Sequence, residues 1–161
     1  MDPKLQRVLD DHDFTLQEPE DFRIEGVWAK AMRGISDARL PGHSVEGAFA
    51  HAYQSAFQIC TAMLNAAGFR TRGGLKDHHY KTFYAVRGLE PDVPGIDALA
   101  LRLEESRQQR HQGMYDEVMR VNRRELDSML ALLDELIPLA SAAIERLRPG
   151  VLLDGPPRQR R

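Results

Sequence analysis

Arg107, Arg110 and His111, followed by Tyr115 and Asp116, are the side chains of this 161-residue chain whose types and spacing could do chemistry. They belong to the stretch Ser106 to Asp116, SRQQRHQGMYD, read as the join between two helical segments. A guanidinium presents a planar fork of donors that grips a phosphate or a carboxylate. Around a phosphodiester it would also stabilise the charge that develops in the transition state. A histidine or tyrosine beside it could move a proton. The structural alternative is that the arginines pair with Glu104, Glu105, Asp116 or Glu117 and only fix a turn. Upstream, Ile96, Leu99 and Leu103 are spaced as one buried helical face, and the same spacing continues through Arg107, Arg110 and Met114. An unpaired charge on an inward face costs on the order of several kcal/mol, so something acidic is expected to meet these arginines.

Other polar groups offer less. Arg70, Arg72 and Lys76 flank the Gly73–Gly74 loop, a basic cluster that could receive a phosphate or simply be solvated. His79 joins the inward face of a helix expected over Leu75 to Arg87, with Phe83 and Val86, while His78 flanks it. Adjacent histidines project about 100° apart on a helix and do not chelate as an i, i+4 pair does. His51, His79 and His111 lie on three helices and could ligate zinc or nickel if they converged, but no HxxxH or HExxH pair supports them, and no metal site is expected. No P-loop, dinucleotide glycine fingerprint, nucleophile elbow or thiolate cluster is present, so no cofactor is expected. The one cysteine, Cys60, rules out an internal disulfide and should pack as a small apolar residue.

The totals narrow the class. A hydrophobic content of 42% with 29% charged residues fits one globular domain. A net charge of -2 supplies no global positive field, so nucleic-acid binding would have to come from a local patch. Neither a signal peptide nor a membrane-spanning run is evident, and a cytoplasmic location away from membranes is expected.

The elements that must position these groups are helical. Residues 1–16 read as a loosely ordered segment, 17–148 as the folded body and 149–161 as a Pro/Arg-rich tail too poor in apolar residues to pack. Arg158, Arg160 and Arg161 at its end could touch an acidic partner or merely be solvated. A first helix from near Pro19 carries the stripe Ile24, Val27, Trp28, Ala31, Met32 and Ile35, with Trp28 as a core anchor, and ends at Leu40–Gly42. Ser44 should cap a second, central helix that stops at Gly68. Its alanines and Ser55 would let another helix approach closely, within the chain or across a two-fold axis. After the turn Glu90–Gly95 comes the helix that leads to the arginines. Asn122 with Glu125 has the form of a capping box, opening a last helix lined by Leu126, Met129, Leu130, Leu133, Ile137, Ala140, Ile144 and Leu147 and bent at Pro138. With no strand alternation visible, the expected fold is an all-α, four- to five-helix up-down bundle.

The order of parts resembles a HEPN domain. An alanine-rich helix with aromatics (AFAHAYQSAFQICTAMLNAAGFRT) precedes a histidine near a helix start (KDHHYKTFYAV) and an arginine-rich motif before the last long helix (ESRQQRHQGMYDEV). The resemblance spans about Val45 to Leu147. It implies a bundle that dimerises so that the motif arginines of two chains face each other across a cleft. Many such domains are metal-independent ribonucleases of toxin–antitoxin or defence systems, with an arginine followed after four to six residues by a histidine. Some pair with a nucleotidyltransferase as antitoxin. Here Arg110 matches the motif arginine and Tyr115 stands where the histidine is expected, whereas His111 follows Arg107 after only three residues. The chain is therefore similar to degenerate branches in which the arginine-rich segment ends in Tyr-Asp. The resemblance implies a homodimer that binds RNA or nucleotide through Arg107 and Arg110, with Arg70, Arg72 and Lys76 adding contacts and His79 and Asp116 in support. Cleavage through Arg110, His111 and Tyr115 would be weak or lost. Beside this reading stand a structural protein-interaction module and a histidine-ligated, metal-dependent bundle enzyme.

Overall fold

Thirteen residues of the alanine-rich segment that follows Ser44 are buried, and that segment decides the architecture. Small side chains let neighbouring backbones come close on several sides at once. The computed structural model describes residues 3, 7, 14–16, 20–71, 78–115 and 121–154, with the backbone alone at 14–16, 71, 78–80, 107 and 109–115. Among these residues five helices form an all-α bundle: α1 (Asp21–Arg39), α2 (Val45–Ala66), α3 (His78–Arg87), α4 (Ile96–Tyr115) and α5 (Arg123–Leu147). Helix α2 is central, packing against α1, α3 and α5. Its start is as the sequence indicates: the Ser44 side chain accepts from the Gly47 amide at 3.0 Å. Its exit turn passes through Gly68 at φ 92°, a backbone conformation that suits glycine.

Helix α1 lies along α2 with Gly34 over Ser55 and the His51 carbonyl. The close approach that the alanines and Ser55 permit is thus made within the chain. Buried Ile24, Trp28, Ala31 and Ile35 carry the contact, and Trp28 is the core anchor expected. Helix α5 runs antiparallel to α1: Arg39 meets Asp134 at 2.7 Å near one end, and Arg148 meets Asp21 at 2.8 Å at the other. The Asn122–Glu125 capping box is present in both directions, with Glu125 N to Asn122 Oδ1 at 2.9 Å and Asn122 N to Glu125 Oε2 at 3.0 Å. Replacing Asn122 with alanine should cost about 1 kcal/mol, read as a shift in the urea midpoint without a change in slope. The helix continues through Pro138, which is exposed.

Four expectations change. The stripe of α5 is rotated: Leu132, Leu136 and Ala143 are buried, while Leu130, Ile137 and Leu147 lie at its margin, because α2 covers the face spaced 126, 129, 133, 136, 140 and 143. A short antiparallel ribbon exists, β1 (Phe14–Leu16) with β2 (Phe69–Thr71), pairing Phe14 with Thr71 and Leu16 with Phe69. Strands of three residues are too short to show alternation. The ribbon ties part of the expected loose N-terminal segment to the body. The chain does not leave the core at Pro149 either: Val151 and Leu153 are buried, so the packed part extends past α5. Finally, Ser106 to Tyr115 is not a join between helices but the last turns of α4 itself. The expected start of the third helix at Leu75 and of the first near Pro19 lies outside the described residues. No helix among the described residues is long and apolar enough to cross a membrane.

Candidate nucleic-acid interface

Helix α4 is held at its start by Glu90. One carboxylate oxygen accepts from Gly95 N at 2.9 Å and the other from Asp97 N at 2.7 Å, satisfying amides that the helix leaves open. Arg87 at the end of α3 pairs with Asp97, so the two helices are clasped at the turn between them. Ile96, Leu99, Ala100 and Leu103 are buried as the spacing indicates. Arg102 then pairs with Glu135 of α5, and the Ser106 hydroxyl donates to the Arg102 carbonyl at 3.1 Å. Arg146 donates to the Asp92 carbonyl, which together with Arg102–Glu135 sets α4 antiparallel to α5. The helix therefore travels toward the end of the bundle where α5 begins.

Leu103 is the last buried residue among the described side chains of α4; of those that follow, Glu105 and Gln108 are exposed and Glu104 and Ser106 are partly so. The backbone keeps its helical course through Arg107, Arg110, His111 and Tyr115. At about 100° per residue, the positions of Arg107 and Arg110 fall within roughly 40° of Leu103, in phase with the stripe. The same turn angle separates positions 110 and 115 by roughly 140°, whereas 107, 111 and 115 succeed one another at i, i+4 and i+8 along one ridge. A continuous helix thus aligns Arg107 with His111 and Tyr115, and sets Arg110 apart from Tyr115.

Of the remaining sequence candidates, Arg70 is exposed on β2, a different element from α4, and His79 lies on α3. Arg72, Lys76 and Asp116 lie outside the described residues. His51 is exposed on α2 and stacks edge-on against His43 with ring centroids 5.7 Å apart. No group of three potential metal ligands occurs among the described residues. Cys60 is fully buried in α2, and burial pushes its thiol up to about 12, so it stays protonated and packs as an apolar residue.

No protein-family model, curated protein or solved structure matches the chain. The site therefore stands on its own geometry. A cleft of about 500 Å³ opens between the end of α1, the start of α2 and the start of α5. Its polar residues, Arg39, His43, Arg123 and Asp127, are scattered through the chain and form no motif.

Proposed function

We propose that this chain is a HEPN-like helical protein that binds RNA or a nucleotide through Arg107 and Arg110 on the last turns of α4, working as a cytoplasmic homodimer in a toxin–antitoxin or defence setting. The observation that carries the reading is the unbroken helical backbone through Tyr115, which sets the positions of Arg107 and Arg110 in phase with the buried stripe Ile96, Leu99 and Leu103. An arginine can bind a phosphate with two parallel donors. The ridge of positions 107, 111 and 115 supports assigning any residual proton transfer to His111 or Tyr115 beside Arg107. A nucleotidyltransferase-type antitoxin is the partner that this reading implies.

The test is incubation of purified protein with end-labelled single-stranded RNA in EDTA, beside Arg110→Ala. A weaker gel shift in the variant, with a shallower dependence of its binding on salt because a phosphate contact is lost, is the expected result. Equal affinity in both proteins would remove Arg110 from the site. Metal-independent cleavage abolished by the substitution would make the protein a ribonuclease despite the altered motif.

A structural interaction module is the second reading, and a specific pattern favours it. Arg39, Arg87, Arg102 and Arg148 each meet a carboxylate on another element or across a turn, so this fold uses arginine as an inter-helix tie. If Arg107 and Arg110 do the same, Arg110→Ala lowers stability and leaves RNA binding absent in both proteins.

A further inference from the structure

The cleft between α1, α2 and α5 combines two properties that seldom meet on an idle surface. Its floor is apolar, built by Ala38, Val45, Ala48, Leu126 and Leu130, and its lip carries Leu40, which leaves 55% of its surface in water. Leu40 is one of three large hydrophobic side chains so exposed among the described residues. Around that floor stand Arg39, Arg123 and His43 against a single lining carboxylate, Asp127. A volume of about 500 Å³ lies in the range of sites that enclose small molecules, which are mostly apolar with a few convergent polar groups.

We infer that this cleft binds a small phosphomonoester with an apolar or aromatic body. The two arginines come from different helices and line one cavity, so each can offer its fork to different oxygens of a tetrahedral dianion; a carboxylate, with one charge, needs only one of them. Both are held by weak ties. Arg39 to Asp134 at 2.7 Å and Arg123 to Asp127 at 3.3 Å are exposed pairs, their side chains leaving 46–74% of their surface in solvent. Such pairs contribute little and yield to a doubly charged ligand. The body of the ligand would cover Leu40 and the floor, removing apolar surface from water. None of these residues belongs to the last turns of α4, so the inference is independent of the function proposed above.

Amide shifts in nitrogen–proton correlation spectra, recorded while phenyl phosphate is added to the full chain, test it directly. Shifts should gather at residues 38–48 and 123–130, and inorganic phosphate should bind more weakly at the same place. The double variant Arg39→Gln, Arg123→Gln should weaken phenyl phosphate by about tenfold or more. Leu40→Ala should weaken phenyl phosphate while leaving inorganic phosphate unchanged, and since Leu40 is exposed this variant folds normally. Arg110→Ala, which tests the RNA site, should leave both titrations as they are. Shifts confined to other residues, an affinity untouched by the double variant, or inorganic phosphate binding as tightly as phenyl phosphate would each overturn the inference.

Discussion

Gly34→Ala will destabilise the bundle by about 1–3 kcal/mol, and Ser55→Ala will reverse the sign of that effect. A methyl group at Gly34 would fall far inside van der Waals contact with Ser55 Oγ, so either the hydroxyl must leave its rotamer or α1 must lift from α2. Once Oγ is gone, the nearest atoms are the His51 carbonyl oxygen at 3.6 Å and Cβ of residue 55 at 3.7 Å, both ordinary contacts. Alanine then contributes its helix propensity, about 1 kcal/mol over glycine. The Ser55 hydroxyl is itself buried without a hydrogen-bond partner among the described residues, so Ser55→Ala alone should be neutral or stabilising. A double-mutant cycle by urea unfolding should therefore show a coupling of roughly 2–4 kcal/mol. Additive effects would mean that α1 and α2 are not this close in solution.

Phe83→Ala will cost about 3–5 kcal/mol, a large share of the stability of a domain of this size. Phe83 is buried in α3 and meets Tyr53 and Phe57 of α2 edge-to-face, with ring centroids 6.1 and 6.2 Å away. Two such contacts add to the area term. Since α4 packs more broadly on α3 than on α5, loosening α3 should loosen α4 with it. Hydrogen exchange in the variant should speed up in α3 and α4 while α1, α2 and α5 keep their protection. Uniform loss across all five helices would show instead that the bundle opens as one unit.

The helices were legible because their signals are local. Ser44 and Gly68 bracket α2, and Asn122 with Glu125 opens α5, through bonds that span only a few residues. What escaped depends on partners distant in the chain. Leu130 and Ile137 both fit a helical period along α5, yet which of several leucines is covered is decided by where α2 lies. Val151 and Leu153 look like too few apolar residues to pack on their own, and they are buried because the body supplies the rest of the contact. The arginine-rich stretch is visible by type and spacing, but it reads as a join where the backbone stays helical. The cleft at Arg39, His43 and Arg123 was illegible for the same reason as the ribbon: residues 39, 43 and 123 meet only after folding.

The Arg148–Asp21 pair has a topological consequence. It brings the residue that follows α5 within 2.8 Å of the first residue of α1, so the helical body begins and finishes at one place. Between Asp21 and Arg148 the helical body nearly closes on itself. With the chain ends joined by a linker that keeps Val151 and Leu153 in place, new termini could be cut at the exposed Pro41–Gly42 turn without removing a buried side chain. By the same geometry, the whole bundle could be spliced into a surface loop of a host protein without forcing the host's strands or helices apart.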